Sequence, residues 1–161
     1  HRIVTDQQRI TDRWIKGLSE SGITKEAYVE SCSVTVAVFS VDEFHRALGM
    51  PLERLYDPER GTPSGYRPAQ SSAGIGFVPM LPPDGRKATK PICGRPGHGA
   101  NVLRALSAGP DAVRDCIALA SAQDLSLSGM ANYVRDPNRA LDRLQMELIA
   151  GRVSAINQCF Y

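Results

Sequence analysis

The chain has 161 residues, 42% apolar and 22% charged, with a formal net charge of +2. That length fits one domain able to bury about two thirds of its unfolded surface. Lysines and arginines are dispersed, which argues against nucleic acid as an obligate partner, because neutralising phosphates takes a basic stripe. The longest apolar runs, such as residues 36–39, are far too short to span a bilayer.

Thr5, with Gln8 three positions later, has the pattern of a capping box, and Ile10, Trp14, Ile15 and Leu18 follow at helical spacing. Gly22 then closes a helix predicted within residues 1–22. Thr24 opens a second segment, 24–49, stopped by Gly49 and Pro51. Its β-branched centre, residues 34–39, is compatible with a strand. A buried helix is the better reading, because Ala27 and Val29 before it and Phe44, Ala47 and Leu48 after it continue one helical pattern. His45, flanked by Glu43 and Arg46, is read as a solvent-facing or satisfied helix histidine rather than a proton relay.

Residues 50–99 change character. Nine of the eleven prolines and eight of the fourteen glycines fall between 51 and 99, so the stretch cannot be mainly helix. Its apolar Ile75, Phe77, Val78, Met80 and Leu81 predict an ordered loop laid over the domain or a neighbouring subunit, with a substrate lid as the alternative. Helical signals return over 100–161. Val102, Leu103 and Leu106 predict a short helix, Pro110 opens another running through Ala122, and Asp136 with Pro137 repeats the device for the last one. In that last helix Leu141, Leu144, Leu148 and Ile156 are expected as a buried stripe. Ala150, Gly151, Ser154 and Ala155 offer a narrow face for close packing. No internal repeat is evident, and the predicted fold class is all-α in a single domain, 1–161.

Four cysteines stand at 32, 93, 116 and 159 without a complete Cys-x-x-Cys pair. Their irregular spacing, and the lack of a visible secretory segment, predict free thiols in a reducing, cytoplasmic setting. Cys32 and Cys116 sit among apolar neighbours and read as small core residues. Cys93 and His98 lack a second Cys/His pair, so a loop without metal is expected there.

The chemistry concentrates in the last fifteen residues, where Glu147 precedes Cys159 by twelve positions. In one straight helix that separation is about 18 Å, so a joint role requires a break, for which Asn157 and Gln158 are suited. Beyond such a break Cys159 would lie near the start of another helix, whose N–H groups and dipole favour a thiolate.

This stretch, 145–159, resembles the signature of the AhpD-like family of alkylhydroperoxidase D and carboxymuconolactone decarboxylases: Glu, eleven residues, Cys, two residues, Cys, three residues, His. Shorter stretches at 28–30, 44–49, 63–68, 78–80 and 101–107 also look similar, so the likeness covers most of residues 24–161. The resemblance implies an AhpD-like helical domain carrying a long Pro/Gly-rich covering loop. It makes Glu147 the relay carboxylate and Cys159 the first redox cysteine, with no metal or cofactor. It implies an organic hydroperoxide as substrate, a thiol carrier as electron donor and a homo-oligomeric assembly, with neither nucleic acid nor membrane as partner. The second redox cysteine and the relay histidine have no positions among residues 1–161. The expectation is that the gene continues in frame past Tyr161 with selenocysteine or cysteine next, and that peroxidase activity is impaired without it. The competing readings are a non-catalytic helical assembly or interaction module, and an acid/base enzyme like the carboxymuconolactone decarboxylases. A solvated Glu147, or one in a salt bridge to Arg143 or Arg152, and an inert Cys159 are the structural alternatives at the site itself.

Overall fold

Where the first helix was expected to run unbroken from Thr5, the chain instead makes three short pieces. The computed structural model, which describes residues 1–62, 66–73, 76–82, 101–125, 129, 133 and 137–159, has α1 at Arg2–Thr5, a 3-10 turn at Gln7–Arg9 and α2 at Asp12–Glu20. Thr5 is the end of α1 rather than a cap: its hydroxyl donates back to the His1 carbonyl at 3.2 Å. The working cap is Thr11, whose hydroxyl accepts the Trp14 N–H at 3.3 Å. Asp6, at φ −152° and ψ 45°, leaves helical geometry and breaks the run that the apolar spacing suggested.

The third helix, α3, spans Lys25–Ala47, with Thr24 accepting the Ala27 N–H at 3.2 Å. A helix is therefore what the 34–39 segment forms, although only its N-terminal half is buried, at Val29 and Ser33. Val34, Val36, Phe39, Phe44 and Leu48 remain exposed. Both α2 and α3 end in the same way. Gly22 (φ 85°) and Gly49 (φ 67°) take left-handed backbone, Ile23 and Met50 donate to Leu18 and His45, and Gly22 and Gly49 donate to Ser19 and Arg46. These are complete Schellman closures, and they require residues that tolerate positive φ.

The described parts of 51–82 contain no helix and a single antiparallel bridge, Ser72 to Met80. Met80 and Leu81 are buried, whereas residues 51–62 are exposed throughout. Ile75, Cys93 and His98 lie outside the described residues. Leu81 is held on both sides of its backbone: its N–H donates to Ser107 Oγ at 3.0 Å, and its carbonyl accepts from Arg104 Nε at 2.8 Å. Arg104 belongs to α4, Asn101–Arg104, shorter than the pattern through Leu106 suggested; α5 follows at Pro110–Gln123 with Pro110 as its first residue. Among the described residues, Ile15, Val29, Met80, Leu81 and Val113 are the buried apolar ones.

The chain divides into two compact units, His1–Leu119 and Ala120–Tyr161. In the second, α6 runs Arg143–Ile156. It begins later than Asp136 and Pro137 suggested, because Asp142 and Gln145 form a reciprocal capping box that fixes the start six residues further on. Pro137 is in a turn, and Asp136 lies outside the described residues. The expected buried stripe is not buried: Leu141, Leu144, Leu148 and Ile156 are all exposed, the middle two by 74% and 75%. Helical spacing says which side of a helix is apolar; burial takes a second layer, and the described residues provide none over these four. The fold is all-α among the described residues, and no described helix is long and apolar enough to cross a membrane.

Candidate functional site

Cys159 owes its position to the way α6 stops. Asn157 is the last residue with near-helical backbone, and Gln158 turns left-handed at φ 53°. Gln158 N–H donates to the Ala155 carbonyl at 3.2 Å, and Cys159 N–H donates to the Ser154 carbonyl at 3.0 Å. This is the same Schellman closure that ends α2 and α3, here with glutamine where the others have glycine. The break therefore falls where Asn157 and Gln158 were expected to make one. Cys159 is a free, exposed thiol immediately beyond it.

Glu147 is not brought to that thiol. It sits on the second turn of α6, and the unbroken helix carries the chain about 13 Å further along its axis before Ile156. Its carboxylate forms an ion pair with Arg143, one turn earlier, which is one of the two partners its spacing allowed. Arg143 also lies over the Tyr133 ring, 5.8 Å from its centroid. The helix end next to Cys159 is a carbonyl end, opposite in sign to the N-terminus that favours an anion. The helix expected to start near Cys159 falls at residues 160 and 161, outside those described.

The other candidates have settled surroundings. Tyr28 and Cys32 face each other one turn apart on α3; burial pushes the Cys32 thiol up, and the Tyr28 hydroxyl hydrogen-bonded to it works in the opposite direction. Burial, then that same bond, pushes the Tyr28 hydroxyl up as well. Such a thiol is a poor nucleophile at neutral pH. Cys116, on α5, is half-buried. His45 Nδ1 donates to the Pro51 carbonyl at 2.7 Å, while Glu43 and Arg46 pair with each other. Among the described residues no group of three or more His, Cys, Asp or Glu is placed to hold a metal ion.

One feature escaped the sequence reading: an open groove along α1, the 3-10 turn and α2, lined by Arg2, Arg9 and Arg13 together with the chain's single tryptophan, Trp14. Its signal was the crowding of three arginines within twelve residues around one indole. No family model, curated protein or solved structure compared with this chain matches it.

Proposed function

We propose that the chain is a thiol- or selenol-dependent peroxidase of the AhpD-like kind that reduces organic hydroperoxides, with Cys159 as the first cysteine of its redox pair. The observation that carries this reading is Cys159 itself, free and exposed directly after the helix reversal, at the position that the motif resemblance assigns to a redox cysteine. In the reaction, the thiolate attacks one peroxide oxygen. The S–O bond forms as the O–O bond breaks, and the departing alkoxide takes a proton to leave as the alcohol. A thiol carrier condenses with the sulfenic acid to give a mixed disulfide and water, and a second thiol restores Cys159. Glu147 is carried as the proton relay by resemblance; its ion pair with Arg143 must open for that role.

Treating the protein with cumene hydroperoxide in the presence of dimedone, followed by peptide mass spectrometry, tests the reading. Cys159 should be trapped at least about tenfold faster than Cys32 or Cys116, and Cys159→Ser should abolish peroxide consumption with dithiothreitol as donor. Equal trapping at Cys32, Cys116 and Cys159 removes the peroxidase reading. Slower oxidation in Glu147→Gln but not in Arg143→Met would mark the carboxylate as a relay rather than only an ion-pair partner.

A second reading, a non-catalytic helical assembly module, is favoured by the exposed apolar residues of α3 and of α6. A homo-oligomer by light scattering, combined with an unreactive Cys159, would favour it over the peroxidase.

A further inference from the structure

The groove beside α2 has a volume of about 620 Å³, within the range of small-molecule sites. Its wall is cationic. Arg2 lies over Trp14, 5.1 Å from the ring centroid, and Asp6 stands 3.9 Å from Arg2 Nε and 3.6 Å from Arg9 Nη1. Both distances exceed a hydrogen bond, so Asp6 offsets charge without saturating the guanidinium donors. Arg13 makes no ion pair or hydrogen bond among the described residues.

The floor is Gly17. It lies inside α2 with ordinary helical backbone, and a Cβ built on it meets nothing within 4 Å. Glycine weakens a helix interior, and here neither a left-handed φ nor a neighbouring group requires it. Its effect is to leave bare backbone between Trp14 and Leu18, open to an apolar body. Asp6 cancels one of the three arginine charges, and Asp12, in the first turn of α2, supplies another negative charge. The remaining balance suits a single negative charge better than a phosphate dianion.

We propose that this groove, formed by Arg9, Arg13, Trp14, Gly17 and Leu18, is a binding site for a small amphipathic monocarboxylate. The carboxylate is taken by the forks of Arg9 and Arg13, and the acyl or aryl body lies across Gly17 between Trp14 and Leu18. The site lies within His1–Leu119 and uses no residue of the Cys159 reading.

Because Trp14 is the only tryptophan, its emission reports on the groove directly. The test is a titration with octanoate below its micellar concentration, with octan-1-ol and acetate as the uncharged and tail-less comparisons. The expected result is a saturable emission change with octanoate and at least about tenfold weaker response to either comparison. Gly17→Leu should abolish the response by filling the floor, while its helix circular dichroism is kept or raised. Arg13→Ala, away from the floor, should weaken it about tenfold. A missing or non-saturable response, an equal response to octan-1-ol or acetate, or an octanoate response unchanged in both variants overturns the proposal.

Discussion

The backbone N–H of Cys159 is bonded to the carbonyl of Ser154, so the thiol's residue is itself part of the cap that ends α6. Gln158 carries the left-handed backbone between them, a conformation that a side chain with a Cβ adopts at a cost. Gln158→Gly should stabilise the protein by about 0.5–1 kcal/mol, read as an increased midpoint in urea. It should leave the reactivity of Cys159 toward iodoacetamide unchanged within about twofold, because the same two hydrogen bonds form. A lower midpoint would show that Gln158 contributes contacts beyond its backbone.

The Arg143–Glu147 pair lies one turn apart on α6, with Glu147 half open to solvent and the Arg143 side chain largely covered, 12% exposed. A double-mutant cycle with Arg143→Ala and Glu147→Ala should return a coupling of about 0.3–0.5 kcal/mol at low salt. That coupling should shrink toward zero in 1 M NaCl. No coupling at low salt would mean that the pair does not persist in solution.

Ser107 is 1% exposed, and its hydroxyl oxygen is the acceptor for the Leu81 N–H. Ser107→Ala leaves that buried N–H without its partner, and the expected loss is about 1–3 kcal/mol in chemical denaturation. Ser31→Ala, on the exposed side of α3, is the control and should change stability by no more than about 0.5 kcal/mol.

Glu26 sits in the first turn of α3, and its carboxyl is held below the ordinary value of 4.5. The chief cause is the hydrogen bond from its own backbone N–H; burial opposes it, and the Thr24 hydroxyl and the Arg67 guanidinium, 3.3 Å away, add to the lowering. A carboxyl lowered by folding contributes stability above its unfolded value and loses that contribution as pH falls through the folded one. Glu26→Gln should therefore cost about 0.5 kcal/mol at pH 7 and next to nothing at pH 2, a small effect because solvent screens the pair. A penalty independent of pH would place the origin in side-chain packing rather than charge.

The elements legible in the sequence are those whose ends carry their own chemistry. Thr24 and Gly49 bracket α3, and Pro110 opens α5, so both were readable despite the β-branched run at 34–39. Thr5 failed as a helix start, and Pro137 as the first residue of the last helix, because the working caps, at Thr11 and Asp142, lay further along. Which apolar side is covered was not readable: the stripe through Leu144 and Leu148 has the right period, but covering depends on groups distant in the chain. At the candidate site, the break at Asn157 and Gln158 was visible in residue type, whereas the pairing of Glu147 with Arg143 depended on where α6 begins.

The hydroxyls of α3 have one more consequence. Ser31, Ser33 and Thr35 each donate to the carbonyl four residues before, at 2.8, 3.0 and 2.7 Å. Each of these three hydroxyl donors is thus answered from within its own helix, without water. Passing from a wet to a dry environment would orphan none of these three donors, so the neighbouring Val34, Val36 and Phe39 are free to be covered and uncovered with no polar toll.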